Sequence, residues 1–186
     1  MRILAGSYKG RPLTAGKDLS IRPLTNRLKE SIFNILQDFV AGRRVLDLFC
    51  GSGSFGLEAL SRGARSIDFV EQDMRAIRVL RTNLANLQIT PDRYKIYHAD
   101  VLQFCRSVNP PYDLILSDPP FKFYHLAELI DAIMQNNLLE PEGLMIIHHE
   151  ILNPIDPSSG QTFTVIDQRR YGRSLVSFIK LGVNHG

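Results

Sequence analysis

The sequence has only two cysteines, Cys50 and Cys105, in 186 residues. Two thiols exclude a disulfide framework and a cysteine-rich zinc site. They fit a reducing compartment, so a cytoplasmic location is expected. The five histidines, His98, His125, His148, His149 and His185, form neither an HxxxH nor an HExxH pair, so no metal site is expected. No apolar run approaches the roughly 20 residues of a membrane span. The N-terminal MRILAGSYKGRPL lacks the apolar centre of a signal peptide. Internal repeats and low-complexity segments are missing as well. What remains is a chain of one-domain length, with 44% hydrophobic residues to build a packed core.

Charge is unevenly spread. Lys and Arg total 22 against 19 acids, a formal +3. Residues 1–44 hold nine of the bases and three of the acids, so this stretch is +6 and the rest is −3. The whole positive excess is N-terminal, which suits a polyanionic partner or a basic solvated surface.

Residues 4–13, centred on Gly6-Ser7-Tyr8-Lys9-Gly10, read as a short basic hairpin. Thr25 is placed to cap a helix with Leu28, Ile32, Phe33, Ile35, Leu36 and Phe39 on one face, ended by Ala41-Gly42. From residue 44 strands and helices alternate. Strands are expected at 44–49, 66–71, 94–98, 112–117 and 143–149, and helices at 55–62, 73–87, 101–107 and 124–137. This alternation predicts a parallel sheet covered on both faces. Segments 162–170 and 174–181 follow without a helix, so they should pair antiparallel. The fold class expected is α/β: a Rossmann-like, seven-stranded, mostly parallel sheet with a C-terminal antiparallel hairpin. Residues 1–43 are expected as a basic hairpin-and-helix extension and 44–186 as the main domain.

Gly51, Gly53 and Gly56 form GxGxxG between a strand and a helix, the context such a loop requires. Glu71 ends the next strand 20 residues after Gly51, the distance of a ribose-binding acid. These residues permit a dinucleotide or another adenosine-containing cofactor. Asp47 separates them. A carboxylate at the lip of the loop would repel a pyrophosphate, whereas S-adenosylmethionine carries an ammonium and a sulfonium and no phosphate. Asp100 ends the third strand region, placed for an adenine amino group or as a helix N-cap.

Two segments match [Asp/Asn]-Pro-Pro-[aromatic], a pattern suited to methyl transfer onto a planar amine. Asp118-Pro119-Pro120-Phe121 follows the fourth strand, at the carboxyl end where ligands bind in open α/β sheets. Asn109-Pro110-Pro111-Tyr112 precedes that strand and reads as a turn. An exocyclic amine on a base is a poor nucleophile because its lone pair is delocalised. Asp118 and the Pro119 carbonyl can each accept one N–H, and Phe121 can stack on the base. His148-His149 reads as alternation between core and surface rather than as a general base.

The sequence resembles the RsmD family of bacterial 16S ribosomal RNA guanine-N2 methyltransferases. The resemblance lies in Arg2-Ile3-Leu4-Ala5-Gly6 with Lys9-Gly10-Arg11, and in Arg22-Pro23-Leu24-Thr25-Asn26-Arg27 with Glu30 and Phe33-Asn34. It continues through Asp47 to Gly53, Glu71, Asp118 to Phe121, and Tyr171-Gly172-Arg173-Ser174. It covers nearly the whole chain, and the N-terminal block is its most specific part. It implies a soluble monomer using S-adenosylmethionine on one guanine of 16S RNA, with no metal and no membrane. It implies a cofactor site of Asp47, Phe49, Gly51, Gly53, Glu71, Asp100 and Val101, with Arg22 and Thr25 above it, and catalysis by Asp118-Pro119-Pro120-Phe121. The family shows Arg-Pro-Thr followed by an acid before the arginine; here Leu24 and Asn26 stand at those positions. Lys9, Arg11, Lys17 and Arg27 are candidate RNA contacts. Competing expectations are an amino-methyltransferase for DNA adenine or a protein glutamine amide, a nicotinamide oxidoreductase, and a non-catalytic RNA-binding module.

Overall fold

The computed structural model describes residues 1–16, 25–107, 110–155 and 162–182. Seven strands form one sheet: β1 Arg44–Leu48, β2 Ser66–Glu71, β3 Tyr94–His98, β4 Tyr112–Ser117, β5 Leu139–Glu150, β6 Phe163–Tyr171 and β7 Ser174–Leu181. Their order is β3-β2-β1-β4-β5-β7-β6. The first five run parallel, and β7 pairs antiparallel with both β5 and β6. Five helices cover it: α1 Asn26–Leu36, α2 Ser54–Ser61, α3 Met74–Asn86, α4 Val101–Arg106 and α5 Leu126–Gln135. The expected fold class is the one observed.

The buried strands carry the continuous apolar runs that a sheet covered on both faces demands. One core cluster joins α1, α2 and α3 to the face with Val45, Ile67, Phe69, Leu114 and Ile146. The other joins α4 and α5 to Leu46, Leu48, Ile115, Met145 and Ile147. The second strand of the β4–β5 pair starts earlier than expected. Leu139 pairs with Tyr112, and a register irregularity before Leu114 absorbs the extra residues around Pro141. Helix α5 starts at Leu126 behind His125, two residues later than expected.

The N-terminal segment shares the first core cluster, through Ile3, Leu13, Leu28, Ile32 and Phe33. Thr25 caps α1 as expected, its hydroxyl accepting from Leu28 N–H at 3.2 Å. The helix stops at Leu36, where Gln37 takes φ 43°, and a 3-10 turn (Gln37–Val40) leads into β1. Residues 1–13 do form a hairpin, held by Ile3 N–H to Arg11 O at 3.0 Å and Gly10 N–H to Ile3 O at 2.9 Å. It does not project. Glu58 of α2 takes the N–H groups of Leu4 (2.9 Å) and Ala5 (3.1 Å). It also takes Arg62 Nε at 2.8 Å and faces the fully buried Lys29 Nζ at 3.5 Å. Lys29 reaches on to Arg2 O and Ser54 Oγ, both at 3.1 Å. One buried carboxylate thereby ties the hairpin, α1 and α2 together. Burial lowers the Lys29 ammonium from its ordinary range, and Glu58 opposes that shift.

Candidate active site

β1 and β4 are neighbours in space, with their crossovers leaving in opposite directions, so the sheet has its switch point between their carboxyl ends. Asp47, on β1, is 1% exposed. Its Oδ2 accepts from Gly56 N–H at 2.9 Å. Burial pushes its carboxyl well above the usual carboxylate range, and nearby Asp118 and Glu71 push the same way against the Gly56 bond. Among the described residues, none of these three acids pairs with a lysine or arginine. This corner of the molecule therefore favours a cation.

The three loop glycines have three different tasks. Gly51 has φ 54°, and a Cβ there would meet nothing within 4 Å, so its backbone borders open space. A Cβ at Gly53, φ 82°, would stand 2.3 Å from Leu80 of α3. A Cβ at Gly56 would stand 2.3 Å from Ile67, 2.6 Å from Phe69 and 2.8 Å from Asp47 Oδ2. Gly56 lets α2 lie close on the sheet and brings its N–H to Asp47. Glu71 braces the loop from β2: Oε2 accepts from Gly51 N–H at 3.0 Å, and Oε1 from Gln72 and Asp73 N–H at 2.8 Å each. A carboxylate offers about four acceptor positions, so one remains.

Phe49 lies between Asp47 and Gly51 with φ 57°, a strained value for an aromatic residue. That turn sets its ring edge-to-face against Phe123, with centroids 4.9 Å apart. Phe123 belongs to the loop after Asp118, so one aromatic contact joins the glycine loop to the Pro-Pro loop. Phe123 N–H closes on Pro120 O at 2.8 Å, and Asn153 Nδ2 holds Phe123 O at 2.8 Å. Tyr124 is 69% exposed.

Asp118 follows β4 and is half-buried. Its Oδ1 lies 2.7 Å from Nδ1 of His148 on β5. The ring of Phe121 meets the His148 ring edge-on, centroids 5.9 Å apart. The expected alternation of core and surface at 148–149 is therefore corrected. Both imidazoles are buried, because β5 lies between β4 and β7 with both faces covered. Periodicity marks opposite faces but not depth, so the pattern at 148–149 does not show that His148 is buried beside Asp118. The available signal was a polar pair inside the apolar run 143–149.

Asp100 caps α4 by accepting from Gln103 N–H at 3.0 Å, and Val101 begins that helix, buried. Both follow the carboxyl end of β3. Thr25 and Arg27 start α1, whose Lys29 reaches the first residue of α2 beside the glycine loop. Arg22 and Lys17 lie outside the described residues, as does Asn109 of the discarded motif; its Pro110 and Pro111 are exposed before β4, at the opposite edge from Asp118. The hairpin tip also lies at that opposite edge. Ser7 N–H bonds Ser61 O at 2.8 Å at the far end of α2, and Arg11 donates to Asn86 O at 2.6 Å at the far end of α3. Lys9 is exposed there, while Tyr8 packs on the first core cluster. A surface depression of about 570 Å³ lined by Phe33, Asn34, Gln37, Asp38 and Arg62 lies on the same far side, away from the acids. Among the described residues no acid, histidine or cysteine cluster could hold a metal ion, and no helix is long and apolar enough to cross a membrane.

The family model described as conserved hypothetical protein 95 matches residues 1–180. The Haemophilus influenzae ribosomal RNA small subunit methyltransferase D is 32% identical over 92% of this chain and 89% of its own length. The Bacillus subtilis protein YlbH, provisionally named an rRNA methyltransferase, is 39% identical over 81% of this chain and 83% of its own. Among solved structures, an Escherichia coli protein provisionally described as methyltransferase yhhF superposes with a TM-score of 0.88. It is 28% identical, and each chain covers 99% of the other.

Proposed function

This chain belongs to that family, the RsmD family, and from this premise we propose that it moves a methyl group from S-adenosylmethionine to the exocyclic N2 of a guanine in 16S ribosomal RNA. The observation that carries the reading is the placement of Asp118-Pro119-Pro120-Phe121 at the switch point, beside Asp47 and Glu71, which pair with no lysine or arginine among the described residues. The residues fit such a cofactor. Gly51 leaves backbone open to it, and the buried acids suit its cationic end. The cofactor supplies an electrophilic methyl group on a sulfonium.

Asp47 sets a negative potential where the ammonium and sulfonium lie. Glu71 offers its remaining acceptor position to a ribose hydroxyl. Asp100 and Val101 flank the adenine, Asp100 accepting from its amino group, and Phe49 supplies an apolar wall. Thr25 and Arg27 stand at the rim. The target guanine leaves its stack to enter and lies against Phe121. Asp118 and the Pro119 carbonyl each take one N–H of the amine; the Pro120 carbonyl is already held by Phe123. Two acceptors turn the nitrogen lone pair toward the methyl carbon, and positioning supplies most of the acceleration. Asp118 receives the proton that the methylated nitrogen releases. Lys9, Arg11, Lys17 and Arg27 hold RNA phosphates. The enzyme works as a cytoplasmic monomer.

The test is transfer of labelled methyl groups to small ribosomal subunits from an unmodified strain, followed by nucleoside analysis. Label in N2-methylguanosine of 16S RNA is expected. Label only in adenine, in DNA or in protein would overturn the assignment. Asp118→Ala should lose turnover while cofactor affinity stays within about tenfold, about 1.4 kcal/mol. Undiminished turnover would remove Asp118 from the mechanism.

A further inference from the structure

His148 is 7% exposed, and its two ring nitrogens are in unequal positions. Nδ1 lies 2.7 Å from Asp118 Oδ1. Nε2 is buried and has no partner among the described residues. The neighbouring His149, on the other face of the sheet, has both nitrogens engaged. Its Nε2 meets Ser177 Oγ at 2.8 Å, and its Nδ1 meets the carbonyls of Glu150 (3.1 Å) and Asn153 (3.0 Å). One imidazole is a structural tie. The other has one nitrogen on the acid of the Pro-Pro motif and one idle.

An ionised carboxylate can only accept, so Nδ1 carries the hydrogen and Nε2 holds a bare lone pair. That hydrogen fixes Oδ1 and leaves Oδ2 as the oxygen free to meet an amine. Resting on the methyl-transfer reading above, we propose that His148 is the positioning residue of Asp118. It holds the carboxylate in one orientation. In the reaction a nitrogen–carbon bond forms as a carbon–sulfur bond breaks, and the electron pair leaves on sulfur. The nitrogen passes its proton to Asp118 Oδ2. The neutral acid still accepts the Nδ1 hydrogen at Oδ1, and its proton leaves to solvent from the half-buried side chain. Other charges act on the pair: Asp47 from β1 and His149 on the same strand. From β7 the residue opposite His148 is Val176, which is uncharged.

The experiment compares wild type, His148→Leu and His148→Asn in labelled methyl transfer to small subunits. Asparagine places an amide N–H near the position of Nδ1–H. The leucine variant should lose at least about tenfold in kcat with the cofactor KM within threefold. The asparagine variant should recover most of that loss. Nitrogen-15 NMR of the wild-type imidazoles adds a readout free of turnover: the neutral His148 ring should carry its hydrogen on Nδ1. A hydrogen on Nε2 overturns the proposal, as does a leucine variant with wild-type rate, or an asparagine variant no better than leucine. Wild type that methylates no RNA overturns the functional reading and this role with it. Wild type that methylates RNA while both His148 variants keep its rate overturns the role alone.

Discussion

Burial pushes the Asp47 carboxyl well above the usual carboxylate range, and this has opposite consequences for folding and for binding. A raised folded pKa means the native state holds the proton more tightly than the unfolded chain, whose Asp titrates near about 3.9. The associated stability is present in full below that value and is lost as pH rises through the folded pKa. A cationic ligand prefers the ionised acid, so cofactor binding should release protons and tighten as pH rises. Titration calorimetry in two buffers of different ionisation enthalpy checks this; proton uptake on binding would contradict it. Asp47→Asn keeps an acceptor for Gly56 N–H and removes the charge. The apoprotein should then melt higher at neutral pH in scanning calorimetry while cofactor affinity falls. A lower melting temperature with intact binding would assign Asp47 to structure. Asp47 was legible in the sequence because its type conflicts with a pyrophosphate loop. The bonds of Glu71 to three backbone N–H groups were not legible. Which N–H groups a turn leaves unpaired depends on its path in space, and no residue in the motif records that.

At the scale of elements, the glycine loop separates stability from function. Gly56 and Gly51 belong to one motif, yet only Gly56 packs against the sheet. Gly56→Ala must push α2 away from Ile67 and Phe69 and crowd the Asp47 carboxylate, an overpacking that costs about 1–3 kcal/mol. Gly51→Ala enters open space but keeps φ 54°, a strain of about 1–2 kcal/mol for an L residue. Its methyl group would stand where the cofactor is to approach. Denaturant melts should therefore show both variants destabilised. Cofactor affinity per folded molecule should fall tenfold or more in Gly51→Ala. Unchanged affinity there would move the cofactor away from this loop. The succession of strands and helices along the chain was legible because hydrophobic period and breaker residues are local signals. The early start of β5 was not, because Leu139 joins the sheet through its partner Tyr112 rather than through any local pattern. The depth of His148 was hidden for a similar reason. It depends on β7 inserting beside β5, a contact between residues 148 and 176.

Across the whole molecule, the described bases of the N-terminal segment divide between two edges of the sheet. Arg27 begins α1 at the end where Lys29 meets the glycine loop, on the side of the proposed cofactor and base. Lys9 and Arg11 belong to a hairpin fastened to the far ends of α2 and α3. The arrangement follows from Glu58, which takes the two N–H groups that would otherwise extend the hairpin ladder. A residue so far from Asp118 can assist only by holding the RNA, not by arranging the reacting atoms. Neutralising Lys9 and Arg11 together should therefore leave kcat unchanged at saturating RNA and raise KM. Each lost phosphate contact should reduce the slope of log K against log salt by roughly 0.7–0.9. Arg11 already donates to a backbone carbonyl, so it has less to give a phosphate than Lys9. Neutralising Arg27 should differ, raising KM and lowering kcat together, because it lies in the first turn of α1 on the side where the base is proposed to enter. RNA-binding isotherms at several salt concentrations, with single-turnover rates for each variant, separate the two edges. An unchanged salt slope after loss of Lys9 and Arg11 would leave that far edge to the solvent. RNA would then contact the enzyme only along the carboxyl edge of the sheet.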